Sequence, residues 1–201
     1  KNRDEVPVYR STDRGRSWHI IYYFAKGDIK HIHSIQWDPY EKKLWLCTGD
    51  QNGECKIVLA DSDFKDIEIL GDGTQLWRTC QFIFKDDYVI WGMDSPLVDC
   101  FMIKMNRKNR NIELLSAVSG PIWYARRWSN GRYLVTTSVE PGVNCKDNKV
   151  KVYQSIDLHN WDVLWEFDKD KLHPVYFKFG SIGFSNGNEG KSEFYMHFEA
   201  V

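Results

Sequence analysis

Two histidines one residue apart, His31 and His33, are the first side chains in this sequence with types and spacing suited to chemistry. Side chains alternate along an extended strand, so an i, i+2 pair shares one face. Such a pair chelates a borderline metal ion when a carboxylate such as Asp50 supplies a third ligand. Two histidines on a strand also serve as hydrogen-bonded lining, and that reading is preferred, so neither a metal nor a cofactor is expected. Asp50, Asp94 and Glu140 each follow a short apolar run. Acidic groups held at a defined separation can do general acid–base work, and these three are candidates for it. Five cysteines, Cys47, Cys55, Cys80, Cys100 and Cys145, contain no CxxC pair. That argues against a zinc ribbon or redox motif and favours free thiols packed as small hydrophobes.

Composition removes several classes. Basic and acidic residues nearly balance, 27 against 28, with no long run of one sign. A phosphate-backbone binder needs a basic face, so nucleic acid is not expected as a partner. No apolar stretch is long enough for a membrane-spanning helix, and none near the start resembles a signal peptide. The chain begins at Lys1, which suggests processing or excision from a longer protein. Aromatic residues make up 15% of the chain, and such rings suit half-buried strands.

A repeat organises the elements that must position these residues. Cys55, Cys100 and Cys145 fall 45 residues apart, and the same offset superposes Trp45, Ile90 and Val135 inside short apolar runs. Each period reads as four short strands punctuated by turn signals. The strands expected are 31–37, 44–48, 56–60 and 67–70; then 76–84, 88–93, 100–105 and 112–116; then 122–128, 133–138, 150–154 and 162–167. Ser129-Asn130-Gly131 reads as a tight hairpin. Residues up to 27 look like the outer two strands of a further unit, and 173–201 like an inner two. Helix should be scarce. Four-stranded antiparallel units at this period mark an all-β β-propeller. Residues 1–201 therefore read as one propeller domain with full blades at 28–72, 73–118 and 119–172. The chain has about four blade units, either closed on itself or part of a larger propeller.

Ser11-Thr12-Asp13-Arg14-Gly15-Arg16-Ser17-Trp18 is the sharpest local motif. Ser11 and Asp13 can accept backbone N–H groups within the turn, Gly15 tolerates positive φ, and Trp18 folds onto the turn and into the blade. A shorter copy, Ser155-Ile156-Asp157-Leu158-His159-Asn160-Trp161, again joins a third to a fourth strand, whereas turns 61–66 and 106–111 lack the pattern. These residues resemble the Asp-box, or BNR, repeats of sialidase-like and glycosyl-hydrolase-like propellers. The resemblance implies that the boxes are structural and peripheral.

It also implies a ligand mouth lined by innermost strands and by loops joining second to third strands. Mapped onto the repeat, this gives His31, His33, Trp77, Arg78, Trp123, Tyr124, Arg126, Tyr176 and Lys178 from innermost strands. Asp50, Asp94 and Glu140 come from the ends of second strands. Both charge signs beside aromatic rings suit a glycan or glycoconjugate. Arg78 and Arg126 pairing with Asp94 and Glu140, and the aromatic rings packing between blades, are the plainer alternatives. Of the sialidase arginine triad only Arg78 and Arg126 are placed, so catalysis is left open and no catalytic residue is assigned. The expected function is a carbohydrate-associated, glycoside hydrolase-like propeller; the alternative is a non-catalytic scaffold binding a glycan or a protein. Loops 140–148 and 183–191 are its candidate contact segments. The resemblance favours a secreted or cell-surface protein, while the unpaired cysteines point mildly the other way.

Overall fold

The computed structural model describes residues 3–128, 131–185 and 195–201. Sixteen strands are present among them, with one 3-10 turn and one single-turn helix. They form three four-stranded antiparallel sheets, β3 (His31–Asp38) to β6 (Ile67–Gly73), β7 (Phe82–Phe84) to β10 (Ile112–Val118) and β11 (Ile122–Arg127) to β14 (Asp162–Asp168), and two hairpins, β1 (Val6–Arg10) with β2 (His19–Phe24) and β15 (Ser181–Phe184) with β16 (Met196–Glu199). This is an all-β architecture of β-propeller class.

The hydrophobic pattern explains the stacking. Central strands β4 (Lys43–Gly49) and β5 (Cys55–Ala60) are buried nearly throughout, so both sheet faces are covered. Outer strand β6 (Ile67–Gly73) is mostly half-buried or exposed. The same holds for β8 (Tyr88–Gly92), β9 (Cys100–Asn106) and β10 (Ile112–Val118). A one-sided sheet would alternate in every strand.

The chain divides into two compact units, Lys1–Arg78 and Thr79–Val201. In the first, β1 (Val6–Arg10) and β2 (His19–Phe24) bury Val8 and Phe24 against Leu46, Val58 and Ala60 of the β3–β6 sheet. In the second, Ile182 of β15 (Ser181–Phe184) packs on Leu134, Val150 and Val152 of β12 (Tyr133–Thr137) and β13 (Lys149–Ser155).

The 45-residue offset holds best on the second strands, β4, β8 and β12, which begin at Lys43, Tyr88 and Tyr133. It slips on the third. Cys55 and Cys100 open β5 and β9, but Cys145 precedes β13, which starts at Lys149. A longer second-to-third loop shifts the frame there. None of the five cysteines forms a disulfide. Cys55 Sγ donates to Gln51 O (3.3 Å) and Cys100 Sγ to Ser95 O (3.1 Å), each across its own loop.

Two expected inner strands are shorter than the pattern suggests. Gln75–Trp77 forms a 3-10 turn and the strand is only β7, Phe82–Phe84. Asp72 Oδ1 accepts both the N–H and the hydroxyl of Thr74, which starts that turn. Gln75, buried, then donates to Asp50 O and Asn52 Oδ1 (3.1 Å each) and draws the segment onto the neighbouring loop. Likewise α1, Pro174–Phe177, replaces the start of the last inner strand. Pro174 sits at its first turn, and His173 Nδ1 accepts the Val175 N–H as a cap. The hairpin expected at Ser129-Asn130-Gly131 and most of loop 183–191 lie outside the described residues.

Candidate functional site

Chain direction sets where polar side chains gather. His31 begins β3 (His31–Asp38) and pairs with Gly49 at the end of β4, so the start of a first strand and the end of a second share one sheet edge. Asp50 follows directly. A register shift between Ile32 and Ser34 leaves His33 as a bulged residue. Bulges re-aim side chains, and here the His31 and His33 rings lie 4.8 Å apart and tilted by 36°. Gly49 makes the room, because a Cβ there would stand 2.6 Å from the His33 ring.

Asp50 is the hub. His33 Nε2 lies 3.4 Å and His31 Nε2 3.9 Å from Asp50 Oδ1. Arg78 Nη2 is 3.4 Å from the same oxygen, while Arg78 Nη1 donates to Asp50 O (3.1 Å). The Lys30 ammonium pairs with Oδ2. Glu54 Oε2 accepts the Asp50 N–H (3.1 Å), and Glu54 Oε1 pairs with Arg3 (2.6 Å). Side chains of His33 and Arg78 are 5% and 7% exposed, whereas His31 is 45% exposed. The hydrogen bond from His33 holds the Asp50 carboxyl well below the usual range, Lys30 and Arg78 reinforcing it against desolvation. Burial, then the charge of His33, pulls the His31 imidazole below its ordinary value. At neutral pH the hub is therefore an anion beside the Lys30 ammonium, the Arg78 guanidinium and two histidine rings.

The other expected residues are placed differently. Trp77 lies in the 3-10 turn, not on a strand; its ring covers Gly71, where φ is +93° and a Cβ would stand 2.4 Å from the indole. Tyr176 is in α1 and strongly exposed. Lys178 ends α1 with φ 75° and pairs with Glu199 (3.3 Å). Asp94 is buried in the second unit, accepting from Trp123 Nε1 (2.9 Å) and Cys80 Sγ (3.4 Å). Trp123, Tyr124 and Arg126 lie on β11 (Ile122–Arg127). Trp123 packs edge-on against Phe179, and the Tyr124 ring lies 3.5 Å from where a Gly183 Cβ would be. Glu140 is half-buried at the start of the loop leaving β12. The structure thus joins His31, His33, Asp50 and Arg78 in one cluster, and Asp94 with Trp123 in another. Lys30, Glu54 and Gln75 belong to the first cluster and escaped sequence reasoning. For Lys30 the only signal was adjacency to His31.

In the second unit, loops 93–99 and 138–148 lie side by side. Val143 N–H donates to Pro96 O (2.7 Å), and a Cβ on Gly142 would stand 2.1 Å from that oxygen. Leu97, Val98 and Val143 remain exposed there, flanked by the Lys146–Asp99 pair (2.8 Å).

The two Ser-x-Asp turns make the backbone hydrogen bonds that their side chains allow. Asp13 Oδ1 accepts the N–H groups of Arg16 (3.0 Å) and Ser17 (2.9 Å), and Ser11 Oγ accepts that of Gly15 (2.7 Å). Asp157 Oδ1 accepts His159 and Asn160 (2.9 Å each), and Ser155 Oγ accepts Leu158 (2.8 Å). Trp161 N–H donates to Ser116 Oγ of β10, and its ring is buried at 6% exposure. Trp18 differs from expectation: its Nε1 donates to Gly15 O (3.1 Å), but the ring stays 59% exposed instead of entering the blade. Turn 61–66 reaches similar geometry without the motif. Asp61 Oδ1 accepts Lys65 (2.7 Å) and Asp66 (3.1 Å), with buried Phe64 at φ 55° where Leu158 has φ 63°.

No family model matches the sequence, and no curated protein matches it. Among solved structures the fold is similar to a chain of a nidogen/laminin complex, with TM-score 0.56 and 12% identity over 79% of this chain and 56% of that one. It is also similar to TolB from Acinetobacter baumannii, with TM-score 0.57 and 11% identity over 96% of this chain and 48% of that one. Both are β-propeller proteins, and likeness at this identity shows the fold alone. The chain spans about half the length of the chains it matches.

Proposed function

We propose that this chain is a non-catalytic recognition propeller, or a segment of one, of Asp-box type. It binds a partner protein through loops joining second to third strands. The observation that carries the non-catalytic part is the state of the carboxylates. A general acid must hold a proton near neutral pH, yet Asp50 is bound by Lys30, Arg78 and His33 and driven below the usual carboxylate range. Asp94 is buried and bound by the Trp123 indole N–H. Leu97, Val98 and Val143 present apolar surface on adjacent loops beside one ion pair, a mix suited to a protein partner. A solved propeller with similar fold is described in a nidogen/laminin complex, which supports the same reading by analogy.

Glycan recognition is the second reading. Half-exposed His31 beside the Lys30 ammonium and the Asp50 carboxylate offers hydrogen bonds that suit sugar hydroxyls. Three assays separate the readings. Chromogenic glycosides should show no turnover; turnover lost in Asp50→Asn would overturn the non-catalytic assignment. A photo-cross-linker at Val143 should capture one defined protein that a cross-linker at Asn109 does not. Glycan-array binding abolished by His31→Ala, with no protein captured, would instead establish the second reading.

A further inference from the structure

We propose that His31, His33 and Asp50 form a site for one divalent borderline transition-metal ion, with Zn2+ as the fitting case. The proposal is independent of the recognition reading and rests on geometry. One ring nitrogen of each histidine and an Asp50 carboxylate oxygen lie within 4.8 Å of one another. Zinc bonds of about 2.0–2.1 Å in a tetrahedral site put neighbouring ligand atoms roughly 3.3 Å apart. His33 Nε2 to Asp50 Oδ1 is 3.4 Å and His31 Nε2 to Asp50 Oδ1 is 3.9 Å. One ion therefore bridges all three with a small turn of the half-exposed His31 ring, and a fourth position stays open to water.

The surroundings are built to hold these ligands in place. Gly49 leaves space for the buried His33 ring. Arg78 fastens the Asp50 backbone through its carbonyl, and Glu54 fastens it through its N–H. Groups of this kind orient metal ligands and tune affinity. Imidazole and carboxylate are the donor set that zinc, copper and nickel share.

Two cations oppose the ion, and they define the test. Arg78 is buried and fixed. Lys30 is about one-third exposed, pairs with Oδ2 and not Oδ1, and is free to swing its ammonium into water. Removing that charge should strengthen metal binding about fivefold or more, since a unit charge about 4 Å away sets roughly that factor even at the dielectric of bulk water.

The experiment is calorimetric titration of the full chain with Zn2+ after treatment with chelator, alongside Co2+ titration read by visible absorption. The expected result is one tight equivalent, with a Co2+ spectrum of tetrahedral intensity. His31→Ala should weaken binding at least tenfold, Lys30→Gln should tighten it, and His159→Ala should leave it unchanged. His31 is half-exposed, so its variant is expected to stay folded, which circular dichroism checks. Because the chain has 6 histidines, binding at another place is a real alternative. Affinity that is indifferent to His31→Ala and His33→Ala overturns the proposal. So does the absence of binding in both the wild type and Lys30→Gln.

Discussion

The Ser11–Trp18 turn and the Asp50 cluster each gather donors around one carboxylate, but they recruit them from opposite distances. Asp13 takes its partners from Ser11, Arg16 and Ser17, none more than four residues away. Asp50 takes Lys30, His33 and Arg78, from 17 to 28 residues away. The first is a conformational device closed within itself, exposed and indifferent to the rest of the fold. The second exists only because β3 pairs with β4 and because the 3-10 turn folds back over the loop after β4. Local devices tolerate isolation, whereas assembled ones store charge that only the fold neutralises.

Substitutions test how far that contrast holds. The largest effect is expected where a turn residue is drawn into long-range packing. Trp161→Ala removes a ring that is 6% exposed and should cost about 3–5 kcal/mol. Trp18→Ala, at the matching motif position but 59% exposed, should stay within about 0.5 kcal/mol. Denaturant midpoints measure both, and equal losses would show that cover by the preceding sheet is irrelevant. Next comes Asp50→Ala, which takes a carboxylate away from the nearly buried Arg78 and His33 side chains. The expected loss is about 3 kcal/mol, the lower end for a broken buried pair because the carboxylate keeps some solvent contact. A loss below about 1 kcal/mol would make the cluster no more integrated than a surface pair.

The smallest effect is the acid limb of the Ser11–Trp18 turn. Backbone N–H of Ser17, followed by the Ser17 and Ser11 hydroxyls, pushes the Asp13 carboxyl down to about 2 from 3.8. A depressed carboxyl contributes stability above its unfolded value, and that contribution disappears as pH falls through about 2. Carboxyl-carbon NMR titration should place the midpoint there, and Ser17→Ala should move it back toward 3.8. A midpoint already near 3.8 in the parent protein would dissolve the self-locked turn.

Much of the fold was legible because its signals are short-range. Alternating apolar runs marked the strands, and the offset joining Trp45, Ile90 and Val135 found three buried positions on the second strands. Cys145 shows the limit of spacing, since a longer loop moved it out of step with Cys55 and Cys100. Trp77 and Tyr176 were misread for a related reason. Their apolar neighbours looked like strand, but Asp72 capping Thr74 and His173 capping Val175 started tight turns first. Turn 61–66 also escaped, because Asp61 alone does what Ser and Asp share in the other two turns.

What the sequence by itself determined is the class of the sheets and the chemistry of the outer turns, since both depend on residues a few positions apart. Tertiary structure alone decided that Lys30, His33 and Arg78 meet at Asp50, and that Trp161 is covered while Trp18 is not. A carboxylate's partners, like a ring's burial, depend on which segments pack together, and that choice is made by the whole core rather than by neighbours along the chain.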